Sequence, residues 1–198
     1  MVFRLFKFFF LFLIFTTPSY GDNLDCFLEN LKFVKTLKIV FSQKTKLPIS
    51  DDEVESYRGV IYYKRPSKFL WKYTKGSDIF VISDGKFLEV VFPEDRECQL
   101  TEVNESSEFF PLFKILDAPS KFYQFFKVSD LGSGEFVLEP RYEKSTFERI
   151  YLVVDKSCNL KLFKTVQIDG TESKYVIKSF EENVKLEDNL FKLIPCGN

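Results

Sequence analysis

Histidine is missing from the chain altogether, which removes the commonest general base near neutral pH and the commonest transition-metal ligand. No GxSxG elbow, HExxH pair, phosphate-binding glycine loop or dinucleotide fingerprint occurs either. The longest apolar run, residues 8–15, falls well short of the roughly 20 residues a membrane-spanning helix needs. A basic excess is also lacking, with 28 Lys and Arg against 29 Asp and Glu, so no strong positive field exists to recruit nucleic acid. The four cysteines, Cys26, Cys98, Cys158 and Cys196, form no CxxC. Their scatter argues against a redox dithiol and against zinc.

The first 21 residues have the layout of an export signal. Arg4 and Lys7 precede the apolar run, Thr16, Thr17 and Pro18 follow it, and Ser19-Tyr20-Gly21 supplies small residues where a signal peptidase reads. Cys26 follows Asn23, Leu24 and Asp25, which is not a lipoprotein cleavage site, so the mature chain is expected to be soluble in the periplasm and not lipid-anchored. Residues 22–198 then form one domain, large enough to bury a substantial core. In an oxidising compartment the four cysteines suggest up to two disulfides, with three possible connectivities that the sequence does not rank. Removing Arg4 and Lys7 leaves 26 basic against 29 acidic side chains, a net charge of −3.

The same residues retain 18 Phe, eight Tyr and one Trp. So many rings in a chain this charged mean either an aromatic core or an internal cavity walled by rings. Residues 23–35 read as an amphipathic helix, with Leu24, Phe27, Leu28, Leu31 and Val34 at helical spacing and Asn23 as its cap. The period then changes to two, Leu37, Ile39 and Phe41 sharing one face of a strand. Residues 46–56 read as an acidic loop, and 57–65 as a strand stopped by Pro66. In the next strand Phe69, Trp71 and Tyr73 share a wholly aromatic face. Asp84-Gly85 and Asp169-Gly170 mark tight hairpins.

Residues 109–116, FFPLFKIL, break the alternation and predict a short helix with Pro111 in its first turn. Strands are expected at 78–82, 86–92, 96–102, 122–128, 135–141, 147–155, 160–168 and 172–180, with a last short one at 190–194. The fold class is therefore mainly β: a strongly curved antiparallel sheet or partial barrel of about ten or eleven strands, covered by helices. Carboxylate pairs such as Asp51-Asp52 and Glu181-Glu182 fall in polar segments where solvation explains them. Two distant carboxylates could in principle serve a glycosidase, but nothing marks a particular pair. The expectation is a non-enzyme with no cofactor and no metal.

Residues 57–94, YRGVIYYKRPSKFLWKYTKGSDIFVISDGKFLEVVFPE, resemble the central signature of the LolA family: an aromatic strand ending in Lys-Arg-Pro, a strand carrying Trp71, and an SDGK hairpin leading to Pro93. Phe41-Ser42-Gln43-Lys44 upstream, and Phe136-Val137-Leu138 with Pro140 and the ending Phe191 to Pro195 downstream, extend the resemblance over essentially the whole mature chain. It implies an incomplete barrel under a helical lid that takes acylated lipoproteins from an inner-membrane lipoprotein-releasing ABC transporter and passes them to an outer-membrane receptor. It further implies that Arg65 holds the lid shut through backbone carbonyls, a task suited to five N–H donors. Leu112, Phe113 and Ile115 then belong to the lid, and Ile39, Phe41, Phe69, Trp71 and Tyr73 to the cavity wall. By spacing alone those five form an ordinary packed core.

The four cysteines depart from the family pattern, and a bridge anchoring the N-terminal helix or the tail would limit lid movement. A monomer is expected. A lipid-sensing module on the same half-barrel, holding its lipid as a signal, and an envelope protein with a filled core remain alternative readings. N-terminal sequencing of the exported protein should begin at Asp22 and find Cys26 free of lipid; recovery of Met1 or of a diacylated Cys26 would defeat the leader assignment.

Overall fold

The computed structural model describes residues 22–48, 54–103, 111–142 and 145–194. Helix α1 (Asp22–Leu31) precedes six strands: β1 (Thr36–Lys46), β2 (Val54–Lys64), β3 (Lys68–Lys75), β4 (Phe80–Asp84), β5 (Phe87–Phe92) and β6 (Glu97–Glu102). Helix α2 (Pro111–Asp117), a 3-10 turn (Pro119–Lys121) and the single turn α3 (Phe122–Phe125) then lead to β7 (Phe126–Gly132) and β8 (Glu135–Pro140). The chain continues through β9 (Phe147–Val154), β10 (Leu160–Gln167) and β11 (Glu172–Glu182) to a 3-10 turn at Asp188–Phe191.

All eleven strands form one antiparallel, open, curved sheet in the order β6-β5-β4-β3-β2-β1-β11-β10-β9-β8-β7. Pairing of β1 with β11 joins the two meanders, and β6 and β7 are left as edges, so the barrel is incomplete. Opposite Val40 and Phe41 of β1 the register shifts by the extra residue Lys178 of β11, and opposite Arg58 and Gly59 of β2 by the extra residue Thr74 of β3. Bulges of this kind add local bend and twist, which curls the sheet about the Phe41-Gly59-Tyr73 row.

Alternation then sorts the side chains. Leu37, Ile39 and Phe41 of β1, Ile61 and Tyr63 of β2, Phe69 and Trp71 of β3, Leu138 of β8 and Ile150 and Leu152 of β9 are buried on the concave face. Helix α1 closes one end of that concavity with Leu24, Phe27, Leu28 and Leu31, all buried, as their spacing predicted. Helix α2 adds Leu112, Phe113, Ile115 and Leu116.

Four sequence expectations need correction. Asn23 lies inside α1, and its side-chain amide donates to the Val154 carbonyl at 3.2 Å instead of capping the helix. Residues 54–56 belong to β2 and not to a loop, because Lys46, Thr45 and Lys44 pair with Val54, Glu55 and Ser56. Residues 122–125 are helical, since the turn begun at Pro119 carries on until Phe126 turns extended. Residues 190–194 form no strand; the Ile194 amide donates instead to buried Glu89 at 2.8 Å, which draws this segment across β5.

Cys26 is bonded to Cys158, with Cα atoms 5.6 Å apart, so α1 is tied to the turn between β9 and β10. Closing a loop of 132 residues removes entropy from the unfolded chain worth about 5 kcal/mol in the chain-entropy account. Cys98 is also in a disulfide, and Cys196 lies outside the described residues. A methyl group placed on Gly59 would come within 2.4 Å of the Phe41 ring and 2.8 Å of the Lys72 carbonyl. Gly59→Ala should therefore cost about 1–3 kcal/mol of stability by overpacking, measured by denaturant unfolding, whereas an unchanged midpoint would mean that the ring moves aside freely.

Candidate functional site

Arg65 follows the last residue of β2, and its peptide bond to Pro66 is cis. Its backbone N–H donates to the Lys35 carbonyl at 2.9 Å, which fixes the start of the side chain. The guanidinium then reaches two helix ends at once. Nη1 donates to the Lys32 carbonyl at 3.3 Å, and Nη2 donates to the Leu31 carbonyl at 3.0 Å and to the Leu116 carbonyl. Leu31 and Lys32 end α1, and Leu116 lies in the last turn of α2, where backbone carbonyls have no partner within their own helix. One planar cation thus fastens α2 against α1 through acceptors that carry partial negative charge.

A second set of contacts holds the same end of α2, and local sequence patterns did not reveal it. Asp117 accepts hydrogen bonds from the Tyr63 hydroxyl at 2.5 Å, the Ser67 amide at 2.9 Å and the Ser67 hydroxyl at 2.6 Å. Tyr63 is fully buried, and burial, followed by the charge of Asp117, pushes its hydroxyl far above the ordinary tyrosine range. It therefore remains a donor near neutral pH. The only local clue was position: Asp117 comes directly after the apolar run of α2.

Beneath the lid, Phe113 stacks on Phe69 with ring centroids 3.9 Å apart, and Tyr63 lies parallel at 6.1 Å. Ile115 and Ile39 are fully buried. A cavity of about 80 Å³ remains beside them, roofed by Pro111 and Leu112 and walled by Phe41, Ile61 and Trp71 on one side. Phe147 of β9, Phe163, Thr165 and Gln167 of β10, and Tyr175 and Ile177 of β11 wall the other. Of the residues singled out from sequence, Phe41, Trp71 and Leu112 border this space directly. Ile39, Phe69, Phe113 and Ile115 pack around it, and Tyr73 lies farther along the concave face. The β9–β11 half went unrecognised because it mixes aromatic and polar residues and so has no uniformly apolar face.

The strand ends away from Arg65 carry a buried polar chain on the concave face. The Tyr73 hydroxyl donates to Gln43 Oε1 at 2.9 Å, Gln43 Nε2 donates to Thr45 Oγ1 at 2.8 Å, and the Thr45 and Ser173 hydroxyls lie 2.9 Å apart. The Tyr73 and Tyr175 hydroxyls are both raised above their usual range, by burial first. Among the described residues no group of three or more His, Cys, Asp or Glu is placed to hold a metal, and no helix is long and apolar enough to cross a membrane.

Cavities that hold small molecules usually measure about 300–1,000 Å³. The present space is far smaller because α2 fills it with Phe113 and its neighbours. A long apolar ligand would fit only in their place. The arrangement is thus an apolar trough with a hydrogen-bonded plug, and its chemistry is binding by exclusion of water.

Comparison with known proteins gives a consistent picture. An outer-membrane lipoprotein carrier protein from Nitrosospira multiformis is 27% identical over 192 residues, covering 94% of this chain and 91% of that one. One from Serratia proteamaculans is 26% identical over 180 residues, covering 91% and 87%. Among solved structures, a DUF1329 family protein from Desulfovibrio piger superposes with a TM-score of 0.51 at 8% identity, covering 86% of this chain and 95% of its own. Residues 32–194 match the family described as outer membrane lipoprotein carrier protein LolA, and the chain belongs to that family.

Proposed function

We propose that this protein is a periplasmic chaperone, not an enzyme, that shields the acyl chains of lipoproteins in the trough under α2 while they move from the inner to the outer membrane. Its donor on this reading is an inner-membrane lipoprotein-releasing ABC transporter, and its acceptor an outer-membrane lipoprotein receptor. Family membership supports a role in lipoprotein sorting. The observation that carries the finer reading is Arg65, whose side chain joins the ends of two helices across an apolar concavity and leaves one of them, α2, free of any covalent tie among the described residues.

The energetics suit a carrier. Burying a dozen methylenes gains roughly 10 kcal/mol. Swinging α2 away exposes Leu112, Phe113, Ile115 and Leu116, each worth roughly 1.5–3 kcal/mol. Cargo and plug therefore compete for the same wall with comparable energies. Net affinity stays moderate, and an acceptor with a better site can empty the trough. Disulfide-anchored α1 serves as the fixed jamb against which α2 closes.

Trp71 borders the cavity, so its emission reports occupancy. A fluorescent acyl probe should change that emission and be displaced by a diacylated peptide; absence of binding at every accessible probe concentration would favour a filled core and overturn the carrier reading.

Arg65 acts on release. Each charge-assisted hydrogen bond to a lid carbonyl contributes about 1.5–3 kcal/mol to the closed form. Arg65→Leu removes these bonds, so the variant should capture lipoprotein as well as the wild type yet hold it longer and deliver it poorly. Arg65→Lys should recover only part of the delivery, because a point charge cannot serve both helix ends. Transfer assays from donor to acceptor membranes decide this, and unchanged delivery by Arg65→Leu would return the residue to a structural role.

Asp117→Asn should shift the same balance less. It keeps a side-chain acceptor but loses the charge that three donors share, so the empty form should lose about 1–3 kcal/mol of stability. Denaturant unfolding with and without acyl probe checks this: the loss should shrink when probe occupies the trough, and an equal loss in both states would mean that Asp117 does not act on the closed form.

A further inference from the structure

The concave face does not stay apolar along its whole length. Phe41 of β1 lies directly across from Ile177 of β11; two residues farther along the same face come Gln43 and Tyr175, with Phe163 of β10 beside Tyr175. Two residues farther again, Thr45 of β1, Ser173 of β11 and Thr165 of β10 stand in one row, a strip of hydroxyls three strands wide. Gln43, Thr45, Thr165 and Ser173 are all buried. Thr165, Gln167 and Tyr175 border the cavity itself.

Strand pairing does not require such a strip. The backbone ladder already joins β1, β11 and β10, and exchanging buried hydrogen-bonded groups for apolar ones of the same shape is nearly neutral or stabilising. What the strip has and valines would lack is hydrogens to give away. The Tyr73 hydroxyl donates to Gln43, and Gln43 Nε2 donates to Thr45. The direction in which each group both accepts and donates then passes the Thr45 hydrogen to Ser173, 2.9 Å away. Ser173 is left with a hydrogen of its own next to the Tyr175 hydroxyl, and Gln43 Nε2 keeps a second hydrogen that the chain does not use. The chain is polarised, starting at Tyr73 and finishing in donors beside the cavity.

Donors without charge select their ligand. Among the described residues no charged side chain borders the cavity, and the cations of these strands, Lys44, Lys164 and Lys174, alternate onto the outer face. A phosphate or carboxylate brought to the strip would lose its water with no cation to replace it, which is strongly unfavourable. An ester carbonyl needs only a neutral donor. Acyl chains join glycerol through such carbonyls, so chains lying along Phe41, Trp71 and Phe163 would bring their esters to the point where rings give way to hydroxyls.

We propose that Gln43, Thr45, Thr165, Ser173 and Tyr175 form a subsite for the neutral ester carbonyls of a diacylglyceryl group. The trough then accepts the glyceryl anchor of a lipoprotein and rejects phospholipids, whose phosphate follows directly on the glycerol, and free fatty acids. The identity of the natural ligand rests on the carrier reading. The subsite adds a selection that an apolar trough cannot make by itself, because the acyl chains of lipoproteins and phospholipids are alike.

Competition against the fluorescent acyl probe tests this with ligands of equal chain length: dioctanoylglycerol, dioctyl glyceryl ether, dioctanoyl phosphatidate and a peptide bearing a dioctanoylglyceryl cysteine. The ester should compete about tenfold better than the ether, which has the same chains without the carbonyls, since one or two hydrogen bonds correspond to about that ratio. Phosphatidate should compete about tenfold more weakly than dioctanoylglycerol, and the peptide at least as well as dioctanoylglycerol. Thr165→Val and Ser173→Ala should each reduce the preference for ester over ether to about twofold. Both should still bind the ether as the wild type does, which shows that fold and trough survive. Ser42→Ala, on the outer face of β1, should keep the full preference. Equal competition by ester and ether, or by ester and phosphatidate, would overturn the subsite in the wild type alone, whether or not a variant folds; so would an unchanged ester preference in both variants. Competition by dioctanoylglycerol but not by the peptide would support the subsite and count against the carrier reading alone, whereas failure of every ligand and of the probe would overturn both.

Discussion

A guanidinium offers five N–H groups and accepts nothing, whereas the end of a helix offers carbonyls that nothing within the helix can satisfy. Arg65 brings these two deficits together at the one place where α1 and α2 converge. Much else in the structure can be understood as making that convergence possible. The bulges at Lys178 of β11 and Thr74 of β3 curl the sheet into a trough that needs a cover, the buried leucines and phenylalanines of the two helices supply it, and Asp117 holds the second helix in line with the cation. An apolar cover alone would collapse onto the trough in many ways; the hydrogen bonds select one.

The two covering helices have different freedoms. Helix α1 is bound by Cys26–Cys158 and by the Asn23 amide on Val154. Among the described residues, helix α2 is held by polar contacts at its end, by Lys114 over the Tyr142 ring at 3.7 Å, and by side chains that a ligand could replace. A plug of modest length is well suited to this. Its seven residues bury four large apolar side chains, enough to exclude water but not enough to outweigh an acyl chain.

The sheet, the aromatic face of β3 and the plug helix could be read from the sequence because each rests on a local pattern: period two in β1 and β3, a nearly continuous apolar run ended by Asp117 and Pro119 in α2. Arg65 stood out only through its Lys-Arg-Pro context, since no periodicity says which carbonyls an arginine will meet. The Asp117, Tyr63 and Ser67 cluster joins positions about 50 residues apart and has no local signature. The far wall of the cavity was missed for a related reason, because Phe163, Thr165 and Gln167 alternate as a strand should but do not share one polarity. At Phe122, aromatic residues suit strand and helix equally well, and the preceding Pro119 turn decided in favour of the helix.

A barrel that stops short of closing leaves two edge strands among the described residues, β6 and β7. Any protein that periodically uncovers a greasy interior runs the hazard of polymerising through such edges. Here β6 reads Glu-Cys-Gln-Leu-Thr-Glu, with most of its side chains in water, and β7 carries Lys127, Ser129 and Asp130 before the break in register at Asp130 and Gly132. Charge and irregularity at both margins discourage strand addition. On the proposed carrier reading, an open state would thus present its hydrophobic surface to a lipid without also offering a template for amyloid-like stacking.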